Sequence, residues 1–164
     1  MTPLSICQAI QDSAIGMSIR ESVWIFPVIE TVHVLGLALS VGTIILLDLR
    51  LIGAGWRHAS ASQIVNGLKH WYLIGFGLMF GSGALLFWSE AAKCYKSIPF
   101  RFKMLFLFLS GVNALIFEFR FKPTMNEWER KERAPAGAMT VGWCSLVFWV
   151  GVIALGRWTA YGMR

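Results

Sequence analysis

Charged residues are scarce in this chain of 164 residues: Asp, Glu, Lys and Arg together make up 15% of it. In soluble globular domains, these four residue types make up about 25% of the sequence. Hydrophobic residues, by contrast, make up 56% of the sequence. This balance argues against a soluble domain, because four long apolar runs would leave almost no surface suited to water.

Cysteine is also rare, with Cys7, Cys94 and Cys144 as its three occurrences. No two of them form a C-x-x-C motif, so the sequence supports neither a zinc site nor a thioredoxin-type redox motif. Cys7 and Cys94 are predicted to lie on one side of the membrane, where an oxidising compartment would allow a disulfide. We expect free thiols.

Two further features are missing from the sequence. The N-terminus has no basic segment followed directly by an apolar core, so no signal peptide is expected. The net charge is +6, but no basic patch is interleaved with aromatic residues, so we expect no nucleic-acid partner.

The basic residues instead flank membrane spans, with seven on one side of the membrane and eight on the other. This even distribution does not orient the protein by the positive-inside rule.

Four apolar runs of about 20 residues have the length that a membrane-spanning helix needs. They cover residues 24–47, 71–88, 102–119 and 139–158. Residues 1–21 are too short and too polar to span, and their apolar positions recur at helical spacing, which predicts an interfacial amphipathic helix. We therefore predict one all-α domain over residues 1–164, an integral membrane four-helix bundle in the lipid bilayer. We expect it in a bacterial inner membrane, with both termini on one side.

Polar and small residues form a stripe along the first predicted span. The stripe contains Glu30, His33, Gly36, Ser40 and Thr43, at intervals of three and four residues. Such a stripe faces the bundle interior, because polar groups that face lipid are costly. An ionisable residue at this depth indicates a functional site. The alternative is a buried polar pair that only locks two helices together.

Depth limits the partners that His33 can share a metal with. His33 lies nine residues after Trp24, or roughly 13 Å below the surface, whereas His70 lies near the opposite surface. His58 falls in a loop, so two histidines of one chain cannot easily ligate one metal ion. Met79 reaches a depth of about 13 Å from the same surface and is allowed as an axial haem ligand. Its alternative role is to fill the core.

The third predicted span carries Lys103 near the surface on the His33 side and Asn113 deeper inside. Lys103 would bind a haem propionate or extend to the lipid headgroups. Asn113 must find a hydrogen-bond partner. On the opposite side, Glu118 and His70 lie at similar depth, so a contact between them is expected.

Two other features of the spans carry structural expectations. Gly77 and Gly81 form a small-xxx-small pair that allows close approach by a helix or a flat cofactor, and a helix is favoured. Asp48 and Arg50 fall where the first span leaves the hydrocarbon, so we expect an interfacial charge pair there.

Two stretches of the chain are distinctive: "ESVWIFPVIETVHVLGLALSVGTIILLDLRLIG" at 21–53 and "PFRFKMLFLFLSGVNALIFEF" at 99–119. In these stretches the sequence resembles an uncharacterised family of short bacterial membrane proteins with four helices. Members of that family often have His at the position of Glu118. The sequence is more faintly similar to HemJ-type protoporphyrinogen oxidases and CopD-type copper-resistance membrane proteins. His33 matches the haem-binding "LH" helix of the HemJ type, and Lys103 matches its functional lysine. The arginine-rich continuation of that helix is absent here.

These observations favour a haem b protein for electron transfer or another membrane redox reaction. His33 would ligate the iron, Glu30 would orient the imidazole, Gly36 would make room for the ring and Lys103 would hold a propionate. A second ligand is not evident, so the iron is either five-coordinate or ligated by another chain. The alternatives are a proton or cation carrier that uses Glu30 and His33, and a structural subunit of a homo-oligomer or larger complex. The sequence indicates no catalytic residue, so an enzymatic role stays open.

Overall fold

All regular structure in the described part of the chain is helical, and no strand occurs there. The computed structural model describes residues 2–55, 60–129 and 134–162. In chain order the helices are α1 (Pro3–Gln11), α2 (Ala14–Glu21), α3 (Ile25–Leu51), α4 (Ala61–Ser89), α5 (Ala91–Lys96), α6 (Ile98–Ile116), α7 (Met125–Glu129) and α8 (Ala136–Gly162). A π-helical turn, Phe117–Phe121, extends α6.

Four of these helices are long and apolar enough to cross a membrane: α3, α4, α6 with its π-helical turn, and α8. The predicted all-α four-helix bundle is thus confirmed, and the chain is a multi-pass membrane protein. Helix α4 begins at Ala61, ten residues before the predicted apolar run. Ser60 and Gln63 cause this early start by forming a capping box: Gln63 N donates to Ser60 Oγ at 3.1 Å, and Ser60 N donates to Gln63 Oε1 at 3.3 Å.

The N-terminal segment forms two short helices where the sequence predicted one. The first begins as expected, because Thr2 caps it and Pro3 occupies its first turn. The break comes at Ser13, whose hydroxyl oxygen accepts a hydrogen bond from Gly16 N at 3.3 Å and so begins a new helix. Helix α1 packs against α5, and α2 packs against α3 and α4.

The spanning helices pack as two pairs, α3 with α4 and α6 with α8, and α3 also contacts α8. A central apolar cluster joins all four helices; its buried members are Val41, Met79, Trp149 and Val152. Among the described residues, α4 and α6 do not pack extensively against each other. We call the end of the bundle that carries α1, α2 and α5 the His33 end, and the end that carries α7 the opposite end.

Two glycines set the close approach of α3 to α4. A Cβ atom on Gly36 would lie 2.8 Å from Met79 N, and one on Gly75 would lie 2.6 Å from Ser40 N. Both contacts are with backbone, so only glycine fits at these positions. Gly77 and Gly81, which the sequence indicated for this packing, have open space around them in the described chain.

Candidate functional site

His33 lies at the α3–α4 contact, and its imidazole is held by α4. Nδ1 lies 2.9 Å from the Met79 carbonyl oxygen and 3.2 Å from Ser82 Oγ. A carbonyl oxygen only accepts, so Nδ1 carries the proton and donates it. In the neutral imidazole, Nε2 then keeps its lone pair. No described residue forms a hydrogen bond with Nε2, which is therefore available to a ligand.

Gly83 gives the imidazole its place against α4. A Cβ atom on Gly83 would lie 3.0 Å from His33 Cε1 and 3.3 Å from Nδ1. The ring therefore rests on a helix surface without a side chain. Sequence reasoning assigned Gly83 no part in the site. The signal that could have found it is its spacing from Met79, four residues earlier, which places both residues on one face of α4.

Lys103 approaches the same end of the bundle from α6. Its ammonium group lies beside the backbone of Gly156 on α8, where an added Cβ atom would be 3.7 Å from Nζ. The side chain is half-buried, and the ion pairs among the described residues do not include it. Its charge lies close enough to act on His33. The structure thus places a half-buried cation at the same end of the bundle as His33.

Glu30 takes a different position from the one expected for an orienting carboxylate. It lies one turn before His33 on α3, and its side chain is exposed on the protein surface. Its charge acts on His33, but the hydrogen-bond partners of Nδ1 are Met79 and Ser82. A backbone carbonyl therefore orients the imidazole, which is the role that was predicted for Glu30.

Met79 and Gly36 also contact their neighbours in an unexpected way. Met79 reaches His33 through its backbone, while its Sδ lies 3.9 Å from Ser40 Oγ in the core. Ser40 is seven residues after His33, about 10 Å along the helix, so the thioether is directed away from the imidazole. Gly36 is covered by the backbone of α4. The space beside it accommodates a neighbouring helix, where the sequence left room for a cofactor ring.

Comparison with known proteins matches residues 16–162 to the model of a family of unknown function, DUF6644. The chain belongs to this family. No curated protein and no solved structure matches it. The predicted membership of an uncharacterised family is confirmed. The similarity to HemJ-type and CopD-type proteins stays a prediction.

Asn113 of this DUF6644 protein lies away from the His33 end. Its Nδ2 donates to the Val141 carbonyl oxygen at 3.0 Å and so joins α6 to α8. Asn113 is ten residues from Lys103, about 15 Å along α6. The structure therefore does not bring Asn113 together with His33, and the amide finds the partner that its burial requires.

Asp48 is buried rather than interfacial, with 3% of its surface exposed. The Ser145 side chain on α8 faces its carboxyl group, and the ion pairs among the described residues do not include the expected pair with Arg50. Within the described chain, its Oδ2 has no hydrogen-bond partner. The carboxyl group therefore lies sealed between α3 and α8 near the opposite end of the bundle.

The contact expected between Glu118 and His70 does not form. Glu118 pairs with Lys122 one turn later, and His70 is exposed on α4. His58 lies outside the described residues. No group of three His, Cys, Asp or Glu side chains in the described ranges has the arrangement of a metal site. Among the described residues, His33 therefore does not belong to such a group.

Proposed function

We propose that this protein binds haem b through Nε2 of His33, for electron transfer or another redox reaction in a bacterial inner membrane. The observation that supports this proposal is the hydrogen bond from His33 Nδ1 to the Met79 carbonyl oxygen. Histidines that ligate metals almost always donate their other ring N–H to a carbonyl, a carboxylate or water. This bond selects the tautomer that leaves Nε2 ready to ligate. The faint similarity to HemJ-type and CopD-type proteins supports the same proposal.

The surrounding residues fit a group with an apolar ring and acidic substituents. Lys103 provides a cation for a propionate at the His33 end, where propionates would reach the membrane surface. Ser82 and Gly83 hold the imidazole against α4. Haem iron, when bound, would supply one-electron chemistry. The residues of the chain would anchor the iron at His33 and place a cation near a propionate.

The test is an absorption spectrum of the purified protein in mild detergent, oxidised and then reduced with dithionite. We expect a Soret band and a reduced α band, both lost in His33→Ala and both kept in His70→Ala. His70 is the matched control because it is exposed on a spanning helix. A colourless protein from haem-replete cells, or an unchanged spectrum in His33→Ala, would overturn the proposal.

A second candidate is a proton or cation carrier, and the position of Glu30 supports it. An exposed carboxylate on a spanning helix is costly in lipid and therefore indicates a function or a partner. Its charge also acts on His33. This candidate predicts pH-dependent flux into liposomes that is lost in Glu30→Gln, without a chromophore. A protein with neither chromophore nor flux would point to a structural subunit, whose partner or second copy would co-purify.

A further inference from the structure

At the His33 end, a surface cleft opens between α4, α5 and α6. It has a volume of about 300 Å³ and is lined by Phe87, Cys94, Tyr95, Phe100, Arg101 and Met104. This volume is at the lower limit of small-molecule pockets. The cleft lies where the short helix α5 joins the ends of α4 and α6, and the Phe87 and Phe100 rings stack there with their centroids 5.8 Å apart. Its lining is mostly apolar, and Arg101 is its charged residue.

Arg101 is fixed at the rim of this cleft with donors to spare. Its Nε and one terminal nitrogen donate to the Tyr95 carbonyl oxygen at 3.2 and 2.9 Å. Its guanidinium carbon lies 5.3 Å from the centre of the Tyr95 ring. A guanidinium group has five N–H donors, so three remain for another acceptor. A pre-oriented guanidinium with free donors is well suited to a phosphate.

The charges around the rim favour an anion. Lys96 is exposed at the end of α5, directly after Tyr95, and adds a second positive charge. The nearest described carboxylate on this segment, Glu90, is paired with Lys93 at 2.7 Å. The rim is therefore cationic, while the floor of the cleft is apolar.

We propose that this cleft binds an anionic phospholipid, with one acyl chain against Phe87 and Met104 and the phosphate on Arg101. The location supports a lipid as the occupant: α5 joins the ends of two spans, so Arg101 lies at the level where headgroup phosphates meet the hydrocarbon. The apolar floor faces the acyl region. This proposal does not depend on the proposed haem site.

The test measures phospholipid binding to the detergent-purified full chain by native mass spectrometry. The probes are phosphatidylglycerol and phosphatidylcholine with the same acyl chains. We expect phosphatidylglycerol to bind more tightly and Arg101→Gln to weaken it about tenfold, as loss of a charge-assisted contact does. Arg157→Gln is the matched control, because Arg157 also lies over a tyrosine ring, at 5.4 Å from the Tyr161 centroid, but does not line this cleft.

Two additional variants complete the test. Met104→Trp fills the cleft and keeps the charge of Arg101, so it should also weaken phosphatidylglycerol binding. Arg101→Lys keeps the charge but lacks the planar donors, and it replaces Arg101→Gln if that variant does not fold. Equal binding of the two lipids, equal loss in the Arg101 and Arg157 variants, or inorganic phosphate competing as well as the lipid would each overturn the proposal.

Discussion

At the residue scale, His33 shows how a side chain within a span acquires a defined chemical state. Its Nδ1 proton is fixed by a backbone carbonyl of α4, and Gly83 removes the side chain that would otherwise displace the ring. Backbone groups cannot titrate or rotate away as a carboxylate can. The imidazole is therefore held in one tautomer without help from Glu30.

Gly83→Ala tests this account at the level of one methyl group. The added Cβ would lie 3.0 Å from His33 Cε1, so we expect the ring to shift by a few tenths of an ångström and its hydrogen bond to the Met79 carbonyl to weaken. Loss of such a supporting contact lowers metal-site affinity by about tenfold or more. We expect a matching fall in haem affinity, measured by haem titration of the apoprotein. Gly81→Ala, which meets only open space in the described chain, should bind haem normally, and equal affinities in the two variants would contradict this account.

Cys94 gives a prediction about reactivity at the His33 end. Burial raises the pKa of its thiol to about 11, and the nearby Glu90 carboxylate adds to the effect. The neutral thiol is thus favoured, and about one molecule in a thousand carries the thiolate at about pH 8. In a variant with Cys7 and Cys144 changed to Ser, maleimide labelling should be slow and should speed up about tenfold per pH unit below the pKa. The same variant in denaturing detergent should label quickly; rapid labelling of the folded protein would refute the prediction.

At the element scale, α3 and α4 pack in one antiparallel register. That register places His33 beside Ser82, Gly36 beside Met79 and Ser40 beside Gly75. Periodicity along α3 made its polar stripe recognisable from the sequence. The rotation of α4 relative to α3 could not be predicted from the sequence. Gly75 and Gly77 are both glycines of the same helix, and they differ only in the neighbour that each faces.

Gly75→Ala and Gly77→Ala compare a glycine at the contact between α3 and α4 with a glycine that has open space around it. A Cβ atom added to Gly75 would lie 2.6 Å from Ser40 N, a backbone atom, so α3 and α4 must move apart. Overpacking of this kind costs about 1–3 kcal/mol. We expect Gly75→Ala to lower the thermal midpoint in detergent, whereas Gly77→Ala should leave it unchanged or slightly higher because alanine favours helix. Equal midpoints would show that the helices do not approach at Gly75.

At the scale of the whole molecule, the candidate haem site and the lipid cleft lie at the same end. Lys103 near the beginning of α6 lies beside Gly156 near the end of α8. Helix α2 contacts α4 and the first span at this end as well. Four crossings place both termini on one side of the membrane, and these contacts agree with that arrangement.

This arrangement predicts the outcome of topology mapping. Reporters that are active on one side of the membrane, fused in turn to the N-terminus and to the C-terminus, should give the same result. A reporter inserted between α6 and α8 should give the opposite result. Opposite signals from the two termini would mean that one of the four helices does not cross. The even distribution of basic residues leaves open which side the termini face.

The sequence alone determined the four crossings and the polar stripe around His33. Hydrophobicity over about 20 residues and a spacing of three to four residues are local properties, which any stretch of chain displays by itself. The N-terminal break at Ser13 was also locally encoded, as a capping serine, but it was missed within a continuous amphipathic pattern.

Only the tertiary structure decided which atoms meet. The hydrogen bond from His33 to a backbone carbonyl, the exposure of Glu30 and the burial of Asp48 all depend on how each helix is rotated and how it slides against its neighbour. Rotation and sliding are set by backbone contacts at Gly36 and Gly75, which join residues about 40 positions apart in the chain. A pattern read along one helix contains no information about such contacts, because they belong to two helices at once.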